Sequence, residues 1–157
     1  MKTVTKLGTL FLFVLTVTIL ATAGSAISGD GVRYSDHIKP IFDDKCIACH
    51  GSDSPEYKEF KKDKKKYKTM FKGPRMDSYT YLIYFVGWPD TGALMRRLDN
   101  GKNTKDGKPG NMYQYLGETD KERQKNLELY KKWVGNWSLK RWKASTKEEL
   151  DRITVKY

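Results

Sequence analysis

The sequence predicts a small all-α domain of about 4–5 helices. Three observations lead there. Behind a leader-like N-terminus about 130 of the 157 residues remain, which bounds the chain to one small domain. Its apolar residues recur at helical rather than alternating spacing. The only two cysteines stand in Cys46-Ile47-Ala48-Cys49-His50, and C-x-x-C-H is an attachment pattern for haem. The helices are therefore expected to wrap around one covalently attached haem c.

Taken in order, Lys2 and Lys6 form a basic start, and positions 7–27 are uncharged. The small residues Ala21, Ala23, Gly24, Ser25 and Ala26 close that stretch, so residues 1–26 are expected to be a secretory signal peptide. The uncharged run is also just long enough to cross a bilayer, which keeps an uncleaved anchor as the alternative. A first helix is predicted over 34–49, with Pro40 near its first turn, where a missing N–H is harmless. Ile41, Phe42 and Cys46 give it an apolar face, and Gly51 breaks it. The lysine-dense 57–68 stretch reads as a solvated helix face or surface loop, with a docking patch as the second reading.

The aromatic run 78–88 reads as a helix packed on the porphyrin, against the β-propensity of its Tyr, Ile, Phe and Val residues. Ala93 to Leu98 is a short helix ended by Asn100-Gly101, and 102–110 is a loop. The last strong helix starts at Thr119, which has capping-box spacing to Glu122. Leu127, Tyr130 and Val134 recur along it with Trp133 beside them, and Gly135 ends it. Tyr130 and Trp133 are expected to pack on Phe42. The haem domain is thus 30–135, and 136–157 is a basic C-terminal extension containing Trp137 and Trp142. A further helix is expected from Thr146, and the extension either docks a partner or wraps the core.

In the C-x-x-C-H reading, one helical turn presents both thiols to one porphyrin edge, where they form thioethers with the vinyl groups. His50 then supplies the proximal imidazole to iron. Three rivals are weaker. A thioredoxin-like dithiol expects a βαβ setting. A zinc site lacks a second Cys pair, with only His37 and His50 left as imidazoles. A disulfide across two residues is strained. His37, at the start of the same helix, is expected to be a local polar group.

With these elements in place, the chain resembles the class I c-type cytochromes. The likeness rests on Pro40-Ile41-Phe42, then Cys46 to Gly51, then Ala93-Leu94-Met95-Arg96-Arg97-Leu98, a Met-bearing loop and a helix holding Trp133. It covers roughly 34–135. The resemblance implies His50 and a distal Met as the two metal ligands. Met112 is the favoured distal ligand and Met76 the alternative, while Met70 and Met95 are competitors and Met95 reads as packing. By the same analogy Trp88, Arg96 and Arg97 line the haem propionates; the other view makes both arginines exposed helix charges.

The chain carries +11, and loss of Lys2 and Lys6 with the signal leaves about +9. Such a surface favours acidic redox partners, with a membrane tether or an anionic membrane surface as a further contact. Nucleic acid is not expected of an exported haem protein. The expected function is a periplasmic or otherwise extracytoplasmic single-electron carrier with no catalytic residues. The alternatives are a haem-c subunit of a larger respiratory complex, or a sensor or enzyme with an open distal site.

Overall fold

A computed structural model describes residues 31–157; the expected signal, 1–26, lies outside the described residues. Pro40 shapes the first helical run. Having no N–H, it cannot donate to a carbonyl one turn back, and the chain before it makes a single wide turn, Tyr34–Ile38, in which Lys39 N donates to Tyr34 O. Helix α1, Lys39–Lys45, continues the run with Pro40 in its first turn, and α2, Ile47–His50, follows a change of direction at Cys46. The predicted 34–49 helix is thus one path in three pieces. His37 sits at its start, its Nδ1 3.2 Å from Arg33 N, the local role expected of it.

Helices α3 (Tyr57–Lys62) and α4 (Lys64–Thr69) carry the lysine-dense stretch and bury no residue. Asp63 separates them and caps α4, accepting from Lys66 N at 2.9 Å. Helix α5, Tyr79–Ile83, starts at Ser78, and the rest of the aromatic run continues as turns. It is not a strand, because its inward residues stand three and four apart instead of alternating: Leu82, Phe85 and Val86 are buried while Tyr84 and Trp88 are exposed. Helix α6 is Ala93–Leu98, as predicted. A single 3-10 turn, Tyr113–Leu116, leads to α7, Asp120–Val134, capped by the Thr119 side chain. Glu122 does not close the capping box. Its carboxylate accepts from Glu118 N at 2.8 Å and pairs with Lys45 at 2.9 Å, tying α7 to α1. The reciprocal box forms instead at α8, Lys147–Asp151, between Thr146 and Glu149.

Eight α-helices therefore stand among the described residues, more than the expected 4–5, because Cys46 divides the predicted 34–49 helix and the lysine-dense stretch, read as a helix face or a loop, supplies two more. No described residue lies in a strand. The core joins Tyr34, Ile38 and Phe42 to Leu82, Val86, Met95 and Leu98, and to Leu127, Tyr130, Trp133 and Val134 of α7. Phe42, Tyr130 and Trp133 all lie in this interior.

The 136–157 stretch wraps that core. Gly135 ends α7 at φ +78, and a Cβ there would stand 2.6 Å from Arg152 O, so only glycine lets the tail return across the helix end. Lys156 O then accepts from both Tyr34 N and the Trp133 indole, each at 2.8 Å. The Tyr79 hydroxyl donates to Val155 O at 2.7 Å.

Candidate haem site

Cys46 N donates to Phe42 O at 2.8 Å and His50 N to Cys46 O at 3.0 Å, so the C-x-x-C-H sits on a single helical turn. Both thiols are free; Cys46 is half-buried against the core and Cys49 is exposed. Burial pushes the Cys46 thiol up to about 12, more than a hydrogen bond with Tyr130 brings it down. A reactive dithiol needs the opposite, a thiolate stabilised near neutral pH. Among the described residues no three His, Cys, Asp or Glu side chains gather as a cation site, so the cysteine pair has no partners for zinc.

His50 is held from outside its own helix. Its Nδ1 lies 2.7 Å from Pro74 O, and because a carbonyl only accepts, Nδ1 carries the proton. The Nε2 lone pair is left for a metal, the arrangement common to ligating histidines. Burial lowers the His50 pKa, which favours the neutral, ligating form. The segment carrying Pro74 is laced to the motif: Gly73 N donates to Cys49 O at 2.8 Å and Met76 N to His50 O at 2.9 Å. Gly73 lies so close that a Cβ on it would stand 2.1 Å from the imidazole Cε1. Sequence reading missed this strap. Gly73-Pro74 was visible as a turn signal, but nothing local pointed it at His50.

The methionines separate by position. Met70 is 55% exposed and Met95 is 1% exposed inside the core. Met76 belongs to the strap, its backbone bonded to the His50 carbonyl. Met112 lies on a different element. Its N donates to Arg97 O at 2.9 Å, and its side chain is half-buried against the core.

Just after α6 lies a buried carboxylate that sequence reading passed over as part of a helix end. Asp99 is fully buried. It accepts from Gly101 N at 2.8 Å, Asn103 N at 3.2 Å, Asn103 Nδ2 at 2.7 Å and the Trp137 indole at 2.9 Å. Burial alone would raise its pKa; these four bonds outweigh it, so the carboxyl titrates below its usual range. Asp99 thereby ties the 101–110 loop to the C-terminal extension.

The three residues expected at the propionates part company. Arg96 turns to the extension: its guanidinium donates to Thr91 O (2.9 Å), Leu139 O (3.1 Å) and Lys140 O (3.3 Å), and pairs with Asp90 at 3.2 Å. Trp88 is exposed and meets Trp142 of the extension edge to face, ring centroids 5.0 Å apart. Arg97 instead donates to Asn111 Oδ1 at 2.8 Å, beside Met112.

Comparison with known proteins agrees with this geometry. A family profile described as PccH Cytochrome c matches residues 33–157. The chain belongs to the PccH cytochrome c family. Among solved structures it is similar to the monoheme cytochrome PccH from Geobacter sulfurreducens, at 57% identity with a TM-score of 0.76, covering 81% of this chain and 99% of that one. A search among curated proteins gave no match. The family match includes the 136–157 stretch that wraps the core. As a monohaem c-type cytochrome, the chain binds one covalent haem c and carries electrons. The residues present fit that group: two free thiols on one helical turn, followed by an imidazole whose Nδ1 is already committed.

Proposed function

We propose that this monohaem cytochrome is an exported one-electron carrier with His50 and Met112 as the two axial ligands. The observation that carries the reading is the bond from His50 Nδ1 to Pro74 O, which holds a neutral imidazole with Nε2 available. Bound haem c supplies an iron that cycles between Fe(III) and Fe(II). Around it the chain's work is positional. Cys46 and Cys49 tether the group, the 73–76 strap orients His50, and the packed core keeps water from the buried side.

Met112 is supported by its place. Met70 is exposed, Met95 is enclosed by core side chains, and Met76 lies on the His50 strap. With Met112 as second ligand, bound haem would offer no open position to a small molecule, which favours electron transfer over sensing or catalysis. The basic composition supports acidic redox partners, and the leader-like N-terminus supports export to the periplasm or an equivalent compartment.

Met112→Ala is expected to abolish the weak far-red charge-transfer band of methionine-ligated ferric haem and to lower the midpoint potential. Met76→Ala should retain the band. The reverse pattern, or rapid carbon monoxide binding by the reduced wild type, would overturn the assignment. Mass spectrometry of the mature N-terminus from the exported fraction tests removal of the signal.

A further inference from the structure

Residues 58–72 hold eight lysines against two acidic side chains. The acidic pair is engaged within the arm, Glu59 by the Tyr67 hydroxyl at 2.8 Å and Asp63 as the cap of α4. Among the described residues Lys58, Lys62, Lys64, Lys65 and Lys68 form no ion pair. All five are exposed. The arm is therefore a concentrated positive surface, not a set of internally neutralised pairs.

Its end is unusual in one respect. Helix α4 closes in a Schellman arrangement: Lys72 N donates to Tyr67 O at 2.8 Å and Phe71 N to Lys68 O at 3.1 Å. The residue between cap and exit in that motif adopts the left-handed conformation, and glycine or asparagine normally fills it. Here it is Phe71, at φ +54, a region that bulky residues rarely enter. The ring gains little from the fold in return, being 82% exposed, and Met70 beside it is 55% exposed. An apolar knuckle thus stands in a field of lysines at a position where the backbone prefers glycine. The chain runs from it directly into the His50 strap: Lys72 donates to Ala48 O at 3.0 Å, and Gly73 touches the imidazole.

We propose that the Met70–Phe71 knuckle and the lysines of α3 and α4 form the docking surface for an acidic electron-transfer protein, seated beside the proximal strap. This rests on the reading of the chain as an electron carrier with acidic partners. The lysines steer and orient the partner, and the aromatic tip supplies the desolvated contact at the centre.

The test titrates ¹⁵N-labelled holoprotein with oxidised flavodoxin, an acidic flavoprotein used as probe. Amide shifts are expected to cluster in residues 58–76, with affinity falling as salt rises. Phe71→Gly should weaken binding about tenfold while leaving the melting temperature unchanged or higher, since glycine suits the backbone there. Its salt slope should match wild type. Lys61→Glu with Lys65→Glu should weaken binding and flatten that slope. Shifts centred elsewhere, with Phe71→Gly binding like wild type, would overturn the docking surface and leave the acidic-partner reading intact. No salt-dependent binding by the wild type would overturn both. Loss of binding to anionic phosphatidylglycerol vesicles in Phe71→Gly, with flavodoxin binding unchanged, would reassign the knuckle to a membrane surface and overturn the proposal.

Discussion

Replacing Gly73 with alanine isolates the contact that orients His50. The new Cβ would stand 2.1 Å from Cε1, 2.6 Å from Nδ1 and 2.8 Å from Nε2, whereas real Cβ contacts essentially never fall below 3.0 Å. The gap must therefore open by about 0.9 Å at the least, as these distances require. If the imidazole yields, a bond to iron cannot follow it so far. If the strap yields, the 2.7 Å bond between His50 and Pro74 O stretches beyond hydrogen-bonding range. Overpacking of this kind costs about 1–3 kcal/mol, and a broken hydrogen bond adds about 1 kcal/mol. A stability loss of about 2–4 kcal/mol is expected in the holoprotein. Thermal unfolding followed by haem absorbance measures the loss, and electron paramagnetic resonance of the ferric form reads the ligand field. Pro74→Ala keeps the carbonyl and should stay close to wild type. A Gly73→Ala protein with wild-type melting temperature and wild-type resonance would refute the reasoning.

The other predictions concern the long-range network. Asp99→Asn places an amide where four donors converge, and should cost about 2–4 kcal/mol in denaturant unfolding at neutral pH. Because the Asp99 pKa is lowered in the fold, the folded chain holds fewer protons than the unfolded chain in acid. Its contribution is therefore present above the unfolded carboxylate value near pH 4 and lost as pH falls through the lower folded value. Denaturant unfolding repeated down this range should show the decline in wild type and a smaller one in Asp99→Asn. Arg96→Ala removes contacts to three carbonyls and Asp90, and should lower stability by about 2–3 kcal/mol without moving the midpoint potential. A shift in potential measured by redox titration would place its guanidinium at the propionates after all.

What was legible in the sequence was local. C-x-x-C-H spans one helical turn, and Ala93–Leu98, the Thr119 cap and the Gly135 stop depend on neighbours within about one turn. Such features follow from backbone sterics and adjacent side chains, so residue order alone determined them. The Thr119–Glu122 box shows where this ends: its spacing was right, but Lys45 and Glu118 N drew the carboxylate away.

The chain itself thus determined the cofactor, the helical class and the anchoring turn of the haem. Only the tertiary structure decided that Gly73-Pro74 holds His50, that Asp99 ties the 101–110 loop to Trp137, and that Trp88 and Arg96 face the extension. The acceptors there are chiefly carbonyls and one buried carboxylate, supplied by residues up to 44 positions away. A backbone carbonyl looks the same in every residue, so its choice of donor is set by packing, and that information exists only once the chain has closed on itself.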